Sequence, residues 1–204
     1  TIKECVQNKD AIITIVGYPK DVEEVYFSQE GIINSASQNS YLIDMTTTTP
    51  TLSIKIHEEA KKKNLKALDA PVSGGDIGAK NATLSIMVGG EKEDFEACKK
   101  LFEAMGKTIV YAGNAGSGQH TKMANQIAIA GVMAGVSEAI AYGKKMGLDI
   151  PTMLASISNG AAQSFHLTNN APKMYKREFE PGFYIKHMVK DLKIANEEMP
   201  NLKV

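Results

Sequence analysis

Apolar residues follow two rhythms along this chain, and the change from one to the other divides it. Up to about residue 114, short apolar runs of strand length alternate with stretches of helical period. Asp10–Val16 reads as a buried strand, Asp21–Phe27 as a short helix and Tyr41–Met45 as a second strand. Pro50 follows threonines 46–49 and opens a helix reaching about Asn64, since proline in a first turn after hydroxyl residues is a start signal. Leu65–Ala70 and Leu84–Val88 read as the third and fourth strands. Glu91–Met105 is an amphipathic helix that Gly106 is expected to close, and Thr108–Tyr111 a fifth strand. Strands alternating with helices predict a mainly parallel, doubly wound α/β sheet. The stretch Pro71–Thr83 joins two strands with no evident helix, so some antiparallel pairing is expected there.

After Gly118 the strand signal disappears. His120 to about Met146 reads as one helix, roughly 40 Å long at about 1.5 Å per residue. Shorter helices follow at Pro151–Ser158 and Tyr184–Met199, with a turn or helix around Ala171–Tyr175, Phe179–Phe183 a loop and Pro200–Val204 offering no closing element. The predicted organisation is an α/β domain over residues 1–115, then an all-α domain over residues 116–204 entered through the long helix. Within that helix, residues 123–143 are mostly apolar, and Gly131 and Gly135 stand at a G-x-x-x-G spacing. Asn125, Gln126, Ser137 and Glu138 interrupt the apolar run and leave it too short for a bilayer. A buried helix is therefore expected, its glycines serving close helix packing, with no membrane partner.

Charge narrows the partners. Lys plus Arg equals Asp plus Glu at 23 each, so no basic surplus exists to neutralise a phosphate backbone, and nucleic acid is not expected. Cys5 and Cys98 form no redox or metal spacing, which suits a reducing compartment, and the four histidines are scattered, so no metal site is expected. No signal-peptide pattern opens the chain, and a cytoplasmic location is expected. Thr1-Ile-Lys-Glu stands directly ahead of an apolar strand, as expected of a chain that has lost its true beginning.

Four segments carry candidate chemistry. In Gly116-Ser-Gly-Gln-His-Thr-Lys122-Met-Ala-Asn125 a glycine loop runs into the long helix and puts a lysine and an amide on one face. A carbonyl oxygen gaining negative charge needs such a proton source. The bland alternative for Lys122 is a packed stem with its head in water, although a cation near a helix N-terminus opposes the macrodipole. Asp69-Ala-Pro-Val-Ser-Gly-Gly75 leaves a strand for a glycine-rich loop, where exposed N–H groups and the Ser73 hydroxyl form either an anion cradle or an ordinary surface turn. Asp44-Met-Thr-Thr47-Thr-Thr-Pro50 leaves another strand end with more hydroxyls than one N-cap needs. Gly17, after the first strand, either admits a dinucleotide against the backbone or makes a turn. Lys190-Asp191-Leu192, on the last helix, reads by itself as a solvated face.

Taken together these segments resemble the β-hydroxyacid dehydrogenase family, which includes 3-hydroxyisobutyrate dehydrogenase and tartronate semialdehyde reductase. Asp69–Gly90 looks like its substrate-binding signature, Gly116–Asn125 like its G-x-G-x-x-x-K-x-x-N catalytic segment, and Lys190-Asp191-Leu192 like its late K-D-L motif. The resemblance implies an incomplete Rossmann-type domain, lacking the first βαβ unit with its G-x-G-x-x-G fingerprint, followed by a helical substrate and dimerisation domain with an incomplete C-terminus. It implies an oxidoreductase moving hydride between NAD or NADP and a small carboxylate-bearing β-hydroxyacid or semialdehyde, assembled as a homodimer or homotetramer. Lys122 is then the catalytic proton donor or acceptor. Ser73, Gly74, Gly75 and Asn125 hold the substrate, and Val16, Gly17, Thr47 and Lys190 contact the cofactor. Thr46, Ala82 and Gln126 replace the family's usual serine, glycine and asparagine. A 6-phosphogluconate dehydrogenase-like enzyme is the alternative, though Arg177 is the only arginine available for a sugar phosphate. A non-catalytic scaffold of the same fold is the other, and retention of Lys122 speaks against it.

Overall fold

The computed structural model describes residues 1–180 and 182–199. Contacts gather it into two compact units: Thr1–Ala124 with the helix after Phe183, and Asn125–Gly182.

The first unit is built on a sheet of six strands: β1 (Ala11–Thr14), β2 (Tyr41–Asp44), β3 (Lys66–Asp69), β4 (Val72–Ser73), β5 (Leu84–Gly89) and β6 (Gly106–Gly113). β1, β2 and β3 pair in parallel in that order, and β5 and β6 are also parallel. β3 and β4 both run antiparallel to β5, with Asp69 opposite Gly89 and Ser73 opposite Ser85. The antiparallel character expected between residues 71 and 83 is therefore present. That segment also holds a short helix, α5 (Gly75–Lys80), that its glycines hid from a periodicity reading.

Side chains alternate across the sheet as the pleat requires. Leu42 and Ala67 face one core with helices α1 (Ile2–Val6), α2 (Pro19–Phe27), α3 (Ile32–Ser35) and α4 (Pro50–Lys62). Their neighbours Ile43 and Leu68 face the other, against Phe95, Cys98 and Phe102 of α6 (Lys92–Glu103). The sequence carries no strong signal for α1 or α3, which are one turn each.

Gly106 does not close α6. The helix ends at Ala104 in the right-handed region, and Gly106 is the first residue of β6. A Cβ there would lie 2.5 Å from the main-chain oxygen of Leu84, so this glycine lets β6 approach β5.

α7 (Ser117–Lys145) begins in the first unit and continues into the second. The second unit adds α8 (Ile150–Ile157), a π-helical turn at His166–Asn170 and α9 (Ala171–Lys176), packed around Val136, Ile140, Leu154 and Leu167. α10 (Ile185–Glu197) returns to the first unit, where Ile194 and Ala195 cover Met123. Just beyond it, the Glu198 carboxylate accepts from the Thr51 hydroxyl at 2.9 Å, at the start of α4. The sequence boundary near residues 114–118 thus differs from the division by contacts, which keeps the start of α7 and all of α10 with the sheet. Pro181 of the expected loop and Pro200–Val204 lie outside the described residues.

The expectation that α7 is buried and packs through Gly131 and Gly135 is overturned. No other element comes within 4 Å of a Cβ at either glycine among the described residues. The helix is long and apolar enough to cross a membrane by length and composition, yet only 22% of its apolar window is buried. Close packing occurs instead at Gly143, where a Cβ would meet Ile150 at 2.9 Å.

Candidate active site

The start of α7 is fixed by a carboxylate from another element. Gly116 takes a left-handed φ of +87°, turning the chain out of β6. The Asp69 carboxylate, at the end of β3, then accepts from the Gly116 N–H at 2.8 Å and the Gln119 N–H at 2.9 Å. It satisfies helix-start donors that would otherwise be orphaned and puts negative charge at the positive end of the dipole. Burial raises the Asp69 carboxyl above its ordinary value, and these hydrogen bonds oppose the rise. A Cβ on Gly118 would stand 2.7 Å from both the main-chain oxygen and a carboxylate oxygen of Asp69, so only glycine lets the helix come this close.

Gln119, wholly buried, ties the same turn to the loop after β2. Its Nε2 donates to the Thr46 oxygen at 2.7 Å, and its Oε1 accepts from the Thr48 N–H at 3.1 Å. The Thr46 hydroxyl in turn accepts from the Val16 N–H at 2.9 Å, which fixes the end of β1. Asp44 supports this loop from below, its Oδ1 accepting from the Thr46 N–H and the Thr14 hydroxyl. Burial pushes the Asp44 carboxyl up to about 6, against the pull of those hydrogen bonds. Its Oδ2 has no partner among the described residues. Of the threonines, only Thr49 caps α4, accepting from the Leu52 N–H.

Lys190, on α10, reaches the same loop, donating from Nζ to the Thr47 oxygen at 2.6 Å and pairing with Asp191 at 3.0 Å. The solvated-face reading of this pair fails, because Asp191 is 1% exposed and Lys190 is part-buried. Lys122, one turn beyond Gln119, is 6% exposed and so does not hold its head in water. Burial lowers its ammonium to about 8; the Asp191 carboxylate raises it and the Lys190 charge lowers it again. Lys122, Lys190 and Asp191 therefore form one electrostatic group beside the threonine loop.

Other expected site residues are placed as follows. Val16 and Gly17 are half-buried beyond the end of β1. Ser73 ends β4, and Gly74 (φ +130°) and Gly75 (φ +63°) form a bend that only glycine adopts freely, opening α5 with no side-chain cap. Among the described residues no hydrogen bond links Ser73, Gly74 or Gly75 to Lys122. Asn125 lies one turn beyond Lys122, in the part of α7 assigned to the second unit, and donates to Gln126 at 2.8 Å. Sequence reasoning missed Gln119, whose only local signal is its place inside the glycine–lysine motif, and gave no role to Asp69 or Asp191.

The loops beyond β1 and β2 offer the kinds of group that a dinucleotide would take. Thr46 and Thr48 point inward and are buried, while Thr47 between them is half-buried and makes no side-chain hydrogen bond among the described residues. The buried Thr48 hydroxyl also lacks a partner there. Ligands of open α/β sheets bind at such strand ends.

Comparison with known proteins decides the family. The profile of the NAD-binding domain of 6-phosphogluconate dehydrogenase matches residues 1–113. That of the NAD-binding region of NADP-dependent 3-hydroxyisobutyrate dehydrogenase matches residues 116–204. An uncharacterized oxidoreductase of Bacillus subtilis, YkwC, is 59% identical over the whole chain, which spans 73% of that relative. The chain belongs to the β-hydroxyacid dehydrogenase family. The 2-hydroxy-3-oxopropionate reductase of Escherichia coli is 38% identical over 96% of the chain and 67% of its own length. Mycobacterium tuberculosis 3-hydroxyisobutyrate dehydrogenase, solved with L-serine, superposes with a TM-score of 0.87 at 29% identity, covering 96% of this chain and 69% of that one. The Rossmann-type, mostly parallel sheet is the family's fold, and NAD or NADP is its cofactor. The two profiles meet at residues 113–116, while contacts carry the start of α7 back to the sheet.

Proposed function

We propose that this protein transfers hydride between NAD or NADP and a small β-hydroxyacid or its semialdehyde, with Lys122 supplying or taking the proton. The observation that carries the reading is the buried Lys122 ammonium, lowered to about 8 beside Asp191 and Lys190. A lysine in water stays charged at neutral pH and is a poor base, whereas one near 8 exchanges its proton readily in either direction. The nicotinamide, when bound, supplies or accepts the hydride.

In reduction, Lys122 donates a proton from Nζ to the substrate oxygen, and in oxidation neutral Nζ takes the proton from the hydroxyl. Asp191 stabilises the charged form, present before reduction and after oxidation, and Lys190 limits how far that field raises Lys122. Ser73 and the bare main chain of Gly74 and Gly75 anchor the substrate carboxylate, while Asn125 orients the substrate. Val16, Gly17, Thr47 and Lys190 hold the cofactor. Anchoring of this kind supports rate by bringing the carbonyl to near-attack distance. The names of the E. coli and M. tuberculosis relatives support short, carboxylate-bearing substrates.

The exposed apolar residues along α7, Ile127, Val132 and Tyr142 among them, support a homodimer or homotetramer, and the even charge balance speaks against a nucleic-acid partner; a cytoplasmic location is part of the same proposal. A panel of C3 and C4 semialdehydes with NADH and NADPH, run on the full-length protein, tests the assignment. Lys122→Ala should still bind the dinucleotide and lose nearly all turnover. Unchanged turnover would overturn it.

A further inference from the structure

We propose that Gln119 is a positioning residue for this reaction: its side-chain amide sets the register between the cofactor loop at Thr46–Thr48 and the helix that carries Lys122. The inference rests on the hydride-transfer reading above. Both ends of the amide are committed, Nε2 to the Thr46 oxygen at 2.7 Å and Oε1 to the Thr48 N–H at 3.1 Å. The side chain thus serves the loop as a neighbouring strand would, satisfying the main chain on both sides of Thr47. Being fully buried, it has no solvent to turn towards.

Its own backbone is equally constrained. The Gln119 N–H donates to Asp69 at 2.9 Å, so the root of the side chain is fixed to the end of β3 while its tip is fixed to the loop after β2. Lys122 follows three residues later on nearly the same helix face. Thr47, held between two anchored neighbours, has its oxygen engaged by Lys190 at 2.6 Å. One amide therefore links the dinucleotide-facing threonine to the proton donor through a few covalent bonds and two hydrogen bonds. A buried glutamine serving stability alone has no need to bracket Thr47, the half-buried residue of this turn whose side chain makes no hydrogen bond among the described residues. Misplacing reacting groups by about 1 Å costs on the order of a hundredfold in rate, so a link at this point bears on turnover as well as folding.

The test uses Gln119→Leu and the isosteric Gln119→Glu in the full-length protein, with Lys122→Ala as reference. Gln119→Leu, measured on folded enzyme, should raise KM for the dinucleotide and lower kcat, each by roughly tenfold or more. Gln119→Glu keeps an acceptor for Thr48 but sets a carboxylate oxygen against the Thr46 carbonyl. Its kcat per folded molecule, relative to wild type, should recover as pH falls and the carboxyl regains a proton to donate, whereas a purely structural role would restore only the folded fraction. Amide exchange at Thr48 should accelerate in Gln119→Leu, which removes its acceptor, and stay slow in Lys122→Ala. If Gln119→Leu does not fold, the glutamate variant decides. Cofactor KM and kcat within about twofold of wild type, with no pH-dependent recovery, would overturn the proposal. Should no semialdehyde be turned over by wild type, the hydride-transfer reading fails separately. Thr48 exchange and dinucleotide affinity by NADH fluorescence in Gln119→Leu then decide the link: unaltered values overturn it, and faster exchange with weaker binding supports it.

Discussion

Lys190 Nζ donates to the Thr47 main-chain oxygen at 2.6 Å, joining positions 143 residues apart and bringing a second cation into the field of Lys122. Removing that cation should raise Lys122 above its value of about 8, because the Lys190 charge lowers it. Lys190→Met should therefore move the alkaline limb of the reductive kcat/KM profile upward, with weaker dinucleotide binding from the loss of the Thr47 contact. Asp191→Asn should move the same limb downward. pH–rate profiles of both variants check the two signs.

Lys122 should cost stability. Its ordinary value is 10.5 and burial brings it to about 8, so the native state holds the charge less readily than the unfolded chain. Below pH 8 both states are charged and the native state bears the full penalty, about 3 kcal/mol from the difference in affinity for the proton. Between 8 and 10.5 the unfolded chain binds more protons, so stability rises with pH. Lys122→Met should accordingly raise the denaturation midpoint at pH 7 and narrow its advantage above pH 10, while abolishing turnover. Chemical denaturation at several pH values measures this.

Asp44 has the opposite dependence. Its carboxyl is raised from 3.8 to about 6, so the native state binds the proton more tightly. The contribution is fully present below about pH 4 and is lost as pH rises through 6. Asp44→Asn keeps an acceptor for the Thr46 N–H and removes the buried charge. It should be more stable than wild type at pH 7 by on the order of 1–3 kcal/mol, with no advantage at pH 4. Thermal unfolding at the two pH values distinguishes these outcomes.

Two glycines on one helix should behave differently. An alanine Cβ at Gly118 would stand 2.7 Å from the Asp69 main-chain oxygen and closer still to that of Met87. Gly118→Ala should lose on the order of 2 kcal/mol or more and disturb Lys122. Gly131→Ala meets no other element and should gain up to about 1 kcal/mol from helix propensity in the monomer. If α7 pairs with a second copy through this face, Gly131→Ala should instead weaken the oligomer, as sedimentation would reveal.

Much of the sheet was legible because strand and helix periods are local properties. The runs at residues 11–14, 41–44 and 66–69 lie within the expected strands, and Pro50 begins α4 as its threonines announce. The misreadings share a cause. Gly106 follows a helix in sequence, yet its role is set by Leu84 across the sheet. Gly131 and Gly135 carry a packing motif whose meaning depends on a neighbour, and among the described residues there is none.

The sequence by itself determined the longer strands and helices and their order, the glycine turn before the long helix, and the three motifs that named the family, since each is written in residues close together along the chain. Tertiary structure decided what those residues do. Gln119 meets Thr48 across 71 positions, and Thr51 meets Glu198 across 147. The burial that lowers Lys122 comes from the packing around it, with α10 supplying the charges of Asp191 and Lys190. Burial and charge are properties of a surrounding volume, and folding assembles that volume from segments that local sequence does not connect.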